Sequence, residues 1–196
     1  MGAVEALPGG APELDGLAMR ELTKWALGLV RRMVATRRDP ETGVLLQQEQ
    51  PLLEVGQLAQ VLYRMGEVDA ARKLYEEVIE GQTAQLGGSH TSTLTTKANL
   101  ASVLKHIGEV DAARKLYEEV IEGMTAQLGG SHTRTLTTKA NLGHLLMGEG
   151  KIAESKAIME EVAAGFLEQF GASHPKTKMY QGAVAQLEAM LDASQR

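Results

Sequence analysis

The side chains with the richest chemistry in this sequence recur at a fixed interval. His90, His132 and His174 stand 42 residues apart, and the carboxylate doublets Glu76-Glu77, Glu118-Glu119 and Glu160-Glu161 keep the same interval. Histidines can hold a metal, but ligands must converge within about 2 Å of one ion. Groups one repeat apart are separated by a helix layer, on the order of 10 Å. The three imidazoles therefore read as turn or cap residues, with no metal site. Paired carboxylates can do acid–base work, yet adjacent helical residues point apart. The doublets read as a solvated face beside Arg72 and Lys73. No phosphate-cradling glycine loop, zincin motif or nucleophile elbow is present. The 196 residues include no cysteine, which removes thiol catalysis, disulfides and Cys-ligated zinc.

Charge and hydropathy exclude further classes. A net charge of −5 counts against a nucleic-acid binder, which would carry a basic face. Arg31-Arg32 and Arg37-Arg38 lack aromatic neighbours and suit a solvated helix end. No apolar run is long enough for membrane insertion, and Met1–Glu13 lacks the basic and apolar regions of a signal peptide. The expectation is a cytoplasmic protein that is not an enzyme and needs no cofactor.

The elements that carry these residues follow from the repeat. Residues 66–107 (unit 1) and 108–149 (unit 2) differ at only eight positions. Two differences are isolated, Gln82/Met124 and Ser92/Arg134; the other six cluster between Ala101/Gly143 and Ile107/Glu149. A diverged unit 3 starts at Gly150, and Leu58-Ala59 falls on Leu100-Ala101, so half a unit precedes unit 1. Val68, Ala71, Leu74, Tyr75, Val78 and Ile79 recur at helical spacing, as do Leu94, Ala98, Ala101, Leu104 and Ile107. Gly66, Gly108 and Gly150 end a short helix before a long one. Gly87-Gly88-Ser89-His90 forms the other turn, ahead of a new helix N-terminus. Gly81, Gly123 and Gly165 cost the long helices about 1 kcal/mol each relative to Ala. A continuous helix is expected there because Thr83, Ala84 and Leu86 hold the apolar register. Residues 1–13 should be disordered and 14–50 an N-terminal helical segment with an amphipathic helix from Leu17 to Arg37. Residues 51–191 form the array, about three helix pairs and a final helix, and 192–196 a tail.

A paired-helix unit with Asn99-Leu100-Ala101 or Asn141-Leu142-Gly143, then Gly, then Ala113, Leu116 and Tyr117, resembles the tetratricopeptide repeat (TPR). The period of 42 in place of about 34 resembles the long-helix version in kinesin light chains. Gly171-Ala172-Ser173-His174-Pro175-Lys176-Thr177 matches that family's turn, while Thr91 and Thr133 replace its proline. The resemblance implies an all-α, right-handed α-solenoid of antiparallel helix pairs. It also implies a non-enzymatic protein–protein interaction module whose first helices line a concave, peptide-binding groove. Motor attachment is not implied, since no long heptad run precedes the repeats.

On that resemblance, Asn99 and Asn141 are the peptide-binding amides. Gln57 occupies the same place in the preceding half unit, and Ala183 breaks the row. Further along the same face lie Gln60, Arg64, Ser102, His106 and His144. An amide both donates and accepts, as a peptide backbone requires; the other reading is that these amides only bond a neighbouring helix. The clustered differences, with Ser102, Lys105, His106, His144 and Met147, fit either a ligand or a different neighbouring helix. Two functions stay open: an adaptor holding a partner's peptide segment, or a structural subunit kept in a larger complex through its helical faces or N-terminal helix. Neither calls for nucleic acid.

Overall fold

The computed structural model describes residues 49–194, which form seven helices and no strand. They are α1 (Glu49–Arg64), α2 (Val68–Leu86), α3 (Thr91–His106), α4 (Val110–Leu128), α5 (Thr133–Gly148), α6 (Ile152–Phe170) and α7 (Pro175–Ser194). The expectations for residues 1–48, including the disordered start and the Leu17–Arg37 helix, lie outside the described residues. Consecutive helices pack on one another, and α3 also touches the first helices α1 and α5 on either side. The result is a layered all-α solenoid.

Local sequence explains the turns. Gly66, Gly108 and Gly150 adopt φ of +83°, +83° and +77°, a region that residues with a Cβ rarely enter. The periodic histidines are N-caps: the Nδ1 atoms of His90, His132 and His174 accept the backbone N–H of Ser92, Arg134 and Lys176, each at 3.2 Å. That bond satisfies one of the free donors of a helix start.

The core lies between helix layers. Tyr75 and Tyr117 are each 1% exposed, and Met159, which takes their place in unit 3, is as deeply buried. The long helices run unbroken through Gly81, Gly123 and Gly165. Each glycine receives a leucine of the paired first helix. A Cβ at these glycines would approach Leu52, Leu94 and Leu136 to 2.9, 2.9 and 2.7 Å. This packing turns the buried stripe toward Gly81 and Gln82, and Thr83 and Ala84 are exposed. The expected apolar register through Thr83 and Ala84 is therefore wrong, although the helix continues. Met124 and Phe166 occupy the Gln82 position in units 2 and 3, where both are buried.

Candidate functional site

Residues along the first helices α1, α3 and α5, from their first turns to their last, line two shallow hollows. Gln57 and Gln60 of α1, Tyr75 and Gln82 of α2, Ser92, Thr96 and Asn99 of α3 and Arg134 of α5 are among the residues lining the first. Tyr63 of α1, Ser102, Lys105 and His106 of α3, Tyr117 of α4 and Asn141 of α5 line the second. Their volumes, about 180 and 220 Å³, fall below the roughly 300–1,000 Å³ of small-molecule sites.

The expected site residues divide between these places. Gln57, Gln60 and Asn99 meet in the first hollow, and Ser102, His106 and Asn141 in the second. Arg64 and His144 are exposed outside both. Asn99 and Asn141 are half-buried, and neither amide makes a side-chain hydrogen bond to another described residue. Although His144 is exposed as a whole residue, partial burial of its imidazole, and then the nearby Lys105 charge, hold it below its ordinary range.

The face carries a charge of its own. Helices α3 and α5 contain no carboxylate. Lys97 and Lys139 pair with Glu119 and Glu161 on the second helices. Lys105 and Arg134 remain at the hollows, which gives a net-acidic chain a locally positive face.

Two polar contacts escaped the sequence reading. The Tyr63 hydroxyl lies 3.3 Å from His106 Nδ1, with the rings edge-to-face at 5.5 Å. The Ser102 and Tyr117 hydroxyls bond at 2.8 Å. A tyrosine in a periodic apolar row reads as core, and nothing in one helix shows where its hydroxyl ends.

A tetratricopeptide repeat profile matches residues 51–126 and again 94–162, more than half of the chain. The chain belongs to the tetratricopeptide repeat family. No curated protein matches its sequence. Its fold is similar to a crystal structure of a Podosopora anserina protein described as a kinesin light chain with nearly identical TPR-like repeats. That match has 23% identity and a TM-score of 0.70 over 93% of this chain and 83% of that one. A point variant of the same protein gives 24% and 0.71, over 93% and 82%. BtubC (BKLC) from P. vanneervenii is similar at 20% identity and a TM-score of 0.69, covering 88% of this chain and 71% of that one. At such identities the likeness is one of fold.

Within this TPR array, three of the six clustered differences follow the helix that comes next. Gly143 replaces Ala101 where Met159 replaces Tyr117, and a Cβ at Gly143 would lie 2.9 Å from Met159 Cε. Ser102 bonds the Tyr117 hydroxyl; Met159 has none to offer, and His144 stands in place of the serine. Arg72 pairs with Glu109 at 2.6 Å, whereas Lys151 fills the Glu109 position in unit 3. Arg114, the twin of Arg72, pairs instead with Glu149, which replaces Ile107. These changes keep contacts to a different neighbour.

Proposed function

We propose that this TPR protein–protein interaction module acts as a non-enzymatic adaptor, holding a peptide segment of its partner along the first-helix face. The observation that carries the reading is the pair Asn99 and Asn141: equivalent, half-buried amides in adjacent hollows, without hydrogen-bond partners among the described residues. Such amides supply the donor and acceptor that an extended backbone needs. Gln57 and Gln60 extend the row. Lys105 and Arg134 give it positive charge, while Ser102 and His106 serve the walls through Tyr117 and Tyr63.

The test selects random peptides displayed on phage against the purified chain and measures an enriched peptide on variants. Asn99→Ala with Asn141→Ala should weaken it about tenfold or more, at about 0.5–1.5 kcal/mol per lost bond, with helical content unchanged. Undiminished binding by the double variant would remove the amides from the site. Capture of a cellular partner that survives this variant but is lost on changing Trp25 or Leu29 would favour the structural-subunit reading.

A further inference from the structure

The two isolated differences between the twin units converge in space. Gln82, Ser92 and Arg134 all line the first hollow, although Arg134 belongs to the following unit. With half of the clustered differences explained by the neighbouring helix, the isolated ones mark the place where the twins diverge at a surface.

Gln82 forms part of that hollow's lining from beneath. It is 5% exposed, and its Oε1 lies 2.8 Å from the Thr96 hydroxyl, whose one proton it shares with the Ser92 carbonyl oxygen at 3.1 Å. Its NH2 makes no hydrogen bond to another described residue. Unit 2 shows that a carboxamide is not needed for packing here. Met124 fills the same place, beside Thr138, whose hydroxyl lies 3.7 Å from the sulfur, and unit 3 uses Phe166. The Gln82 NH2 is not among the fully desolvated polar atoms; it lines the hollow as a free donor, open to an acceptor. Arg134 adds donors to the lining, and no carboxylate lies among the lining residues.

We propose that the first hollow is a specificity pocket for a ligand side chain ending in an acceptor oxygen, a carboxylate or a carboxamide, with Gln82 as the residue that selects it. This rests on the groove reading above and names the side-chain chemistry the groove takes. Tyr75 also lines the hollow, and its hydroxyl, like that of any tyrosine at neutral pH, keeps its proton.

The test compares random-peptide selection on the intact chain with selection on Gln82→Met, which installs the residue unit 2 already accommodates beside an equivalent threonine. An enriched peptide is then resynthesised with Glu, Gln, Met or Leu at each position in turn. One position should favour Glu and Gln over Leu by about tenfold, and Gln82→Met should abolish that preference. Arg134→Ser, which removes a cation from the lining, should lower the Glu preference and leave the Gln preference; an unchanged Glu preference would overturn the acceptor-oxygen pocket on the Arg134 side. In the unaltered protein, the Gln82 side-chain amide signal in a ¹⁵N NMR titration should move with the Glu or Gln peptide and stay with the Leu peptide, a readout independent of any variant's folding. Equal discrimination by Gln82→Met, or an unmoved Gln82 signal, overturns the inference. If the Asn99/Asn141 variant still weakens binding in that case, the groove reading stands; if no peptide is enriched, both fall.

Discussion

Gly165→Ala should destabilise the protein, although alanine is the better helix former. The substitution places a Cβ 2.7 Å from both Cδ atoms of Leu136 and 3.3 Å from its Cγ. Favourable carbon contacts lie at about 3.5–4.0 Å, so Leu136 would have to withdraw by about 1 Å. It has little room, being 2% exposed within a cluster of Ala140, Met159, Val162 and Phe166. Overpacking of this kind costs about 1–3 kcal/mol, against a helix-propensity gain of about 1 kcal/mol. The net loss should be about 1 kcal/mol. The sharper test is the sign in a second background. Leu136→Ala alone should cost about 2–5 kcal/mol, but it empties the space above residue 165. There, Gly165→Ala should recover up to about 1 kcal/mol, giving a coupling of about 2 kcal/mol between the two positions. Urea denaturation of the four proteins, followed by far-ultraviolet circular dichroism, reads these values, provided the urea slopes agree. A stabilising Gly165→Ala in the intact protein, or a coupling below about 0.5 kcal/mol, would refute the argument that close helix approach explains the glycine.

Other contacts yield their own outcomes. Tyr117→Phe should lose about 0.5–1.5 kcal/mol through the Ser102 bond, whereas Tyr117→Ala should lose about 3–5 kcal/mol of packing; equal losses would mean that the hydroxyl dominates. Glu149→Ile, which restores the unit 1 residue, should destabilise by leaving Arg114 without its acid, and adding Lys151→Glu should recover most of the loss; melting temperatures of the single and double variants decide. His144 should titrate below 6.5 when followed by NMR, because burial and then the Lys105 charge disfavour its cation. Unfolding releases it from both, so this group's contribution is complete above the unfolded value and declines as pH falls through it toward the folded one. Lys105→Met should raise the midpoint without restoring it fully, and an unmoved midpoint would remove Lys105 as a cause.

Much of the architecture was legible because each signal is local. The positive-φ turns at Gly66 and Gly108, the histidine caps and the buried Tyr75 and Tyr117 depend on a few residues of one chain segment. The face of the long helix after Gly81 was misread because Leu52, a residue of another helix, decides it. The proposed site shows the same division between local and distant signals. Asn99 and Asn141 could be placed on a shared face by the 42-residue interval, but Gln82 sits on a second helix and looked like an incidental difference. Its meaning depends on Arg134 reaching the same hollow from one unit further on. The cluster from Ala101 to Ile107 invited a ligand-based reading, yet three of its changes answer to Met159 and Lys151. Periodicity shows which residues are equivalent, and only packing shows which neighbours they serve.

The near-identity of the twins has a genetic consequence. Thr93–Leu100 and Thr135–Leu142 are the same eight residues, so an unequal exchange within them would delete 42 residues in frame. The fused helix would begin as α3 and end as α5. It would still bring Gly143 to Met159, and Arg72 could take over Glu149 from the deleted Arg114. The fold would persist with one unit fewer, at a lower stability, since stability sums over units and their interfaces. The hollow would keep Gln82 and Ser92 but lose Arg134, because that residue lies on the excised side of the crossover. A change in repeat number would therefore exchange the guanidinium of Arg134 for the ammonium of Lys176, its counterpart 42 residues on, and alter the chemistry of the hollow.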